Sequence, residues 1–459
     1  MKKGFTLIEL LAVIVILAII ALIAVPIVLN IIKDTKESSM LRSADFYIDA
    51  LEISIATKML DGSSIQDGTY NIIDNGNICL EYDEKETCIN ILEVEVDGEV
   101  PTSGTITIIS GKINDINLTY PSGTVTQNTE GKLVLGEVKE EKVTLANYIK
   151  NLYNPTTTAT VNGIEYDLDA TNLLMNDRLG NSEVDKLEGN IRYYGANPNN
   201  YIDIGDRDSE GNIIFWRIIG LFKNVEVTDE NDNVIKTEDL VKIIRSDKLT
   251  SGDVNGFSWD YTSTGASDNN WNDSTLQIML NDEVNGYYAS GTSSYYNNST
   301  TATELNFAST GLSSETHNKI ARVKWSLGGH STSSIYSDTM YGYERTGTNT
   351  WSGKIVLMYP SDYGYSADLS SCQTTLSSYD NSTCTTTNWM YDSNKWQWTL
   401  IPYSSYADTV CSVYPSGNVN YGNQSNVAIG VRPVLYLNSD VGIVEEKETS
   451  EGLKYFVVE

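Results

Sequence analysis

From Met1 to Ile32 the chain is apolar with one interruption: after Lys3, Glu9 is the only ionisable side chain before Lys33. Wound as a helix at about 1.5 Å per residue, Phe5 to Ile32 would span roughly 40 Å, enough to cross a hydrocarbon core of roughly 30 Å with some tilt. A secretory signal would have an apolar core of about 7 to 15 residues followed by a small-x-small cleavage site, whereas this run is longer and continues into more helix. A plain anchor accounts for the length but not for Glu9, because an acid in the apolar zone costs on the order of 2.5 to 3.5 kcal/mol unless something offsets it. A cut between Gly4 and Phe5 would give the acid a use. Glu9 could then pair with the new amine of a neighbouring subunit as helices leave the bilayer and bundle.

The stretch Lys2-Lys3-Gly4-Phe5-Thr6-Leu7-Ile8-Glu9, with Pro26 further along, resembles the prepilin cleavage and methylation motif of type IV pilins and pseudopilins. The resemblance implies that a prepilin peptidase cuts after Gly4 and N-methylates Phe5, and that Glu9 guides assembly into a filament. It also implies the partners, which are other pilin subunits, the peptidase and the membrane. The location implied is the cell membrane, through a single N-terminal helix, and then a cell-surface filament. Pro26 discriminates little, since it removes one backbone hydrogen bond and loosens a helix under either reading.

Beyond Lys33 the helix becomes amphipathic, with Ala44, Ile48, Leu51, Ile55 and Met59 recurring at the spacing of one helical face. Asp61-Gly62 supplies the stop. Residues 71–73, 77–82, 89–96, 104–109, 112–119 and 132–138 are short runs rich in Ile, Val and Thr, separated by Asp-Asn-Gly, Asp-Gly, Ser-Gly and Pro-Ser-Gly turns. One helix behind six such strands resembles a pilin globular domain. Cys79 and Cys88 flank an acidic loop, and in an exported chain they read as a disulfide stapling that hairpin.

A formal net charge of -30 argues against a nucleic-acid partner, because phosphate backbones are held by clustered Lys and Arg. Charge is densest at Glu137, Lys139, Glu140, Glu141 and Lys142, which reads as a linker, and Thr144 can cap a short helix running to Tyr153. The expected organisation is a leader at 1–4, a pilin helix at 5–60 that is transmembrane over about 5–32, and a β domain at 61–138. A linker with a short helix at 139–158, a large module at 159–445 and a terminal strand or tail at 446–459 complete it.

All eight tryptophans fall in the last two thirds of the chain, where apolar β-runs alternate with polar loops such as 262–270 and 291–303. Strands are expected at 213–222, 240–246, 320–325, 353–360, 397–403 and 428–437, and helices at 274–285 and 313–321. Blocks here resemble a surface module of Gram-positive bacteria: Arg192-Tyr193-Tyr194-Gly195-Ala196-Asn197-Pro198, Trp216-Arg217-Ile218-Ile219-Gly220, Met358-Tyr359-Pro360-Ser361-Asp362-Tyr363-Gly364-Tyr365, and Gly430-Val431-Arg432-Pro433-Val434. The ending, a tryptophan strand, a polar loop and a Gly-Val-Arg strand, resembles the C-type-lectin-like fold shared with formylglycine-generating enzymes. That likeness implies binding of a glycan or protein ligand. Arg432 must be paired or solvated, and an ion pair tying the last strand to a neighbouring loop is the simpler reading. Trp396 and Trp398 share a strand face and read as core.

No catalytic constellation is legible. His317 and His330 stand in polar sequence without a nucleophile elbow or metal-ligand pattern. Cys372 and Cys384 read as a loop disulfide, which leaves Cys411 odd. Asp206-Arg207-Asp208-Ser209-Glu210-Gly211 alternates oxygen ligands as a calcium loop does, but position twelve is Arg217, and a polar turn explains the run as well. Asp229 to Asn233 reads as a hairpin loop.

The fold expected is therefore α+β: a long N-terminal transmembrane and amphipathic helix on a small antiparallel pilin sheet, followed by a large β-rich, C-type-lectin-like domain. The function expected is a minor pilin or pseudopilin, not an enzyme, that presents the large domain for adhesion. The alternative is the tip pseudopilin of a type II secretion-like or DNA-uptake machine, binding protein partners.

Overall fold

The computed structural model describes residues 36, 38–62, 65–73, 76–80, 91–94, 96, 99–120, 123–128, 132–135, 143–281, 288, 292–332, 334–394 and 396–459. Gly4, Phe5, Glu9, Pro26 and Cys88 lie outside the described residues. Among the described residues no helix is long and apolar enough to cross a membrane. The chain divides into two compact units, Met1–Glu141 and Lys142–Glu459.

In the first unit, helix α1 (38–60) buries Met40, Ala44, Tyr47, Leu51 and Ile55. The expected stripe is thus turned by about one position: Ile48 packs at the edge of the core, and Met59 is 53% exposed. Tyr47 takes the inward place because its large ring fills the core while its hydroxyl donates to the Gly76 carbonyl at 2.6 Å. Gly62, at φ +80°, closes the helix in the left-handed region that glycine enters without strain.

The buried face of α1 packs on a seven-stranded antiparallel sheet: β1 (Gly68–Ile72), β2 (Ile78–Cys79), β3 (Ile91–Leu92), β4 (Ser103–Ile109), β5 (Lys112–Tyr120), β6 (Gly123–Gln127) and β7 (Leu133–Leu135), in the order β3-β2-β1-β4-β5-β6-β7. β6 was not legible in the sequence, because it is short and polar and buries only Val125. Cys79 is buried and disulfide-bonded.

The second unit begins with α2 (Leu145–Leu152), capped by the Thr144 hydroxyl, which accepts from the Asn147 amide at 3.2 Å. Its Leu145 and Ile149 are buried in the main core, so this helix is an integral layer of the unit instead of part of a linker. There follow β8 (Thr157–Val161), β9 (Ile164–Asp169), β10 (Leu174–Asn176), α3 (Glu183–Glu188), β11 (Ile191–Tyr193), β12 (Tyr201–Asp203), β13 (Trp216–Thr228) and β14 (Val234–Arg245). Then come α4 (Thr275–Asn281), β15 (Thr292–Tyr295), β16 (Thr303–Asn306), α5 (Ser314–Asn318), β17 (Val323–Ser326), α6 (Ser337–Thr346), β18 (Thr350–Gly353), β19 (Ile355–Leu357), α7 (Pro360–Tyr365) and α8 (Ser382–Thr386). The last elements are β20 (Gln397–Pro402), β21 (Thr409–Val413), β22 (Val419–Gln424), β23 (Pro433–Tyr436), β24 (Ile443–Glu448) and β25 (Lys454–Val458).

One sheet runs β19-β23-β14-β13-β11-β10-β9-β8, with β12, β17, β18, β24 and β25 branching from it. β25 pairs in parallel with β12, so the segment expected as a terminal strand or tail is a strand woven into the sheet. A separate sheet has the order β20-β21-β22. The β13–β14 hairpin turns at Asp229 to Asn233, where the Asp229 carboxylate accepts from the Asn231 and Asn233 amides. The run 353–360, expected as one strand, breaks into β18, β19 and the start of α7. Pro360 accounts for the last of these changes: its fixed φ and missing N–H suit the first turn of a helix better than a ladder.

Candidate functional site

The sheet register places Met175, Arg192, Gly220, Lys242 and Tyr436 in one row across β10, β11, β13, β14 and β23. Gly220 leaves that row open between the two cations; a Cβ there would stand 2.3 Å from the Ile191 carbonyl oxygen. Arg192 and Lys242 are 1% and 0% exposed, an expensive position for a charge unless it is paired.

Their partner comes from α7. Asp362 Oδ1 accepts from Arg192 Nη1 at 2.7 Å, and Oδ2 accepts from Lys242 Nζ at 2.6 Å and from the Tyr359 amide at 3.0 Å. Asp177, just past β10, takes the other edge of the guanidinium through Arg192 Nε and is itself held by the Asn190 amide at 2.7 Å. Glu344 of α6 accepts from the Ser361 amide at 3.0 Å and from its hydroxyl. Aromatic rings wall the cluster. The Arg192 guanidinium lies 4.5 Å from Phe222, 4.8 Å from Tyr341 and 4.9 Å from Tyr365, and Lys242 Nζ lies 4.4 Å from the Tyr359 ring. Arg192 Nη2 is buried with no hydrogen-bond partner.

The electrostatics follow from this burial. Burial alone would raise Asp362, but Lys242 and Arg192 outweigh it and hold the carboxyl below its ordinary range. Burial pushes Lys242 below the ordinary lysine range in spite of Asp362. Burial also pushes Glu344 up to about 7, against the hydrogen bonds from Ser361 that favour its charged form. Two cations thus face two carboxylates, and a proton on Glu344 keeps the whole cluster neutral.

Arg192, Lys242 and Glu344 of the cluster line an open cleft of about 590 Å³, with Trp325, Tyr359 and Tyr436 among its walls and Lys324 and Arg345 among its further basic groups. Arg345 is exposed and stacks on Tyr341 at 5.4 Å. Such a cleft can hold a ligand that has both a ring or chain to stack and polar atoms to hydrogen-bond.

Of the residues singled out in the sequence, the cluster unites Arg192 with Asp362 and Tyr359, from blocks 170 residues apart. Lys242, Asp177 and Glu344 were missed, although Lys242 stands inside the apolar run Leu240-Val241-Lys242-Ile243-Ile244, the same signal that marks Glu9. Arg432 is buried, and its Nε donates to the Arg245 carbonyl at 2.8 Å, a backbone partner in place of the expected carboxylate. Cys372 and Cys384 are joined, with Cα atoms 4.8 Å apart.

His317 Nδ1 lies 3.1 Å from Lys354 Nζ, and His330 bonds with the backbone of Thr332. Asp208 accepts from the Glu210 and Asn212 amides as a turn residue, whereas buried Asp206 accepts from Ser313 and Thr316. Among the described residues no three His, Cys, Asp or Glu side chains converge as a metal site requires.

Residues 1–25 match the family model of the prokaryotic N-terminal methylation motif. Residues 230–439, which contain Lys242, Glu344 and Asp362, match that of a domain of unknown function (DUF6273). No curated protein and no solved structure matches the chain. The methylation motif supports a type IV pilin-like or pseudopilin-like subunit, processed by a prepilin peptidase and assembled with other pilin subunits.

Proposed function

We propose that the chain is a minor pilin or pseudopilin, cut between Gly4 and Phe5 and N-methylated on Phe5, whose second unit is a non-enzymatic, C-type-lectin-like head that binds a glycan or protein ligand for adhesion. The observation that carries this reading is the methylation motif at 1–25 on a chain whose second unit offers an aromatic-walled, charge-lined cleft. The non-enzymatic reading draws support from the reactive side chains: burial pushes the Cys411 thiol up to about 12, opposite to what a nucleophile needs. A minor role fits the bulk of the second unit, which would crowd a filament if carried at every position.

N-terminal sequencing of membrane-extracted protein, with mass detection of methylation, tests the pathway. A mature start at methylated Phe5 is expected, and an intact Met1 would reduce the segment to an anchor. Glycan and peptide arrays probed with the intact chain test the head. A hit weakened about tenfold by Arg345→Ala supports adhesion through the cleft, while binding only to other pilus or secretion components favours the tip pseudopilin.

A further inference from the structure

The row Arg192, Gly220 and Lys242 brings a buried amine against the carboxyl group of Asp362. Lys242 Nζ sits 2.6 Å from one oxygen of Asp362, with both side chains 0% exposed. The other oxygen of Asp362 is held by Arg192 Nη1 at 2.7 Å. The acid Glu344 is bonded to Ser361, the residue preceding Asp362. A buried amine is thereby fixed against a carboxyl group whose second oxygen already faces a cation, the arrangement that acyl transfer to nitrogen requires.

We infer that Lys242 and Asp362 condense into an intramolecular amide, an isopeptide bond joining strand β14 to helix α7 across 120 residues of sequence. Proton transfer within the pair turns the ammonium and carboxylate into amine and carboxylic acid without changing net charge. The amine lone pair attacks Cγ of Asp362, forming the N–C bond, and negative charge develops on Oδ1 beside Arg192. Glu344 gives a proton to Oδ2 and regains one from nitrogen. The Cγ–Oδ2 bond breaks, and Oδ2 leaves with two protons as water into the cleft that Lys242, Glu344 and Tyr359 line. Nothing is oxidised or reduced, and no further reactant enters.

Two features favour the amide over the ions. Two buried charges become one neutral group, which removes most of their desolvation cost. Burial lowers Lys242 and raises Glu344, which eases the proton movements the step uses: release of a proton from the amine and its donation by the acid.

Mass spectrometry of the purified full-length chain, with disulfides reduced, tests this directly. The expected mass is lighter than that of the processed sequence by one water. A tryptic digest should give a branched peptide in which 237–245, uncut at Lys242, is joined to the segment containing Asp362. A digest in which Lys242 is cleaved normally and accepts an amine label after denaturation would overturn the inference, and this reading on the native sequence does not depend on any variant folding. Asp362→Asn should give the same branched product by losing ammonia, whereas Asp362→Ala and Lys242→Arg should lose it altogether. Glu344→Gln should leave at least nine tenths of the chain unlinked, and linkage as complete as in the native chain would remove Glu344 from the step.

Discussion

Arg192 joins three segments of the second unit through one side chain. Its guanidinium is buried between three rings and engages two carboxylates from segments on either side of it in sequence. Replacing it with methionine would keep much of the packing but leave Asp177 buried without its cation. Breaking a buried pair in this way costs on the order of 3 to 5 kcal/mol. Urea unfolding of Arg192→Met followed by tryptophan fluorescence should show that loss, since all eight tryptophans lie in this unit. Adding Asp177→Leu should restore much of it, because the second substitution removes the stranded charge.

Glu344 sets a pH dependence whose sign is fixed by its burial. Its carboxyl rises from 4.5 to about 7 on folding, so between those values the folded chain holds a proton that the unfolded chain releases. Its contribution is complete below about 4.5 and is lost as pH rises through about 7, a change of about 3 kcal/mol. Urea midpoints measured across that window should fall with rising pH, and Glu344→Gln should flatten the slope.

At the scale of elements, two interactions fasten otherwise separate pieces. The Tyr47 hydroxyl ties the middle of α1 to the turn at Gly76, and Tyr47→Phe should cost about 1 to 3 kcal/mol by leaving a buried carbonyl without its donor. Leu51→Ala on the same face should cost about 2 to 5 kcal/mol, while Met59→Ala, at an exposed position, should fall within about 0.5 kcal/mol of the native chain. The Cys372–Cys384 bond, at a sequence separation of 12, ties the preceding loop to α8, in which Cys384 sits, and removing both sulfurs should cost about 3 kcal/mol by freeing that loop in the unfolded chain. Thermal unfolding of each variant checks these values.

Elements whose signals are local were legible from sequence: the period of α1, the Thr144 cap, and the Asp229 turn. Elements fixed by distant partners were not. Helix α6 lacks a side-chain cap and a clean apolar stripe and buries Asp338 and Glu344, so nothing local announces it. Helix α7, of which only Pro360 falls in the strand expected at 353–360, has no amphipathic period to read because all six of its residues are buried. The charge cluster hides for the same reason: its members are ordinary residues until strands β11 and β14 set them side by side.

For the whole molecule, the decisive property is how a chain of net charge -30 is brought into a filament. Chains this acidic repel one another, and cleavage after Gly4 would deepen the repulsion by removing Lys2 and Lys3. Assembly therefore needs an attraction placed where water and salt do not screen it. Glu9 supplies one under the pilin reading, since a carboxylate in an apolar setting attracts the amine of an adjoining Phe5 far more strongly than surface charges do. Glu9→Val makes the first helix more apolar, so membrane retention should be unchanged. The loss should fall on assembly, with sheared filament fractions depleted at least tenfold and the membrane fraction correspondingly enriched. Incorporation of the valine variant at the native level would separate this chain's assembly from its acid.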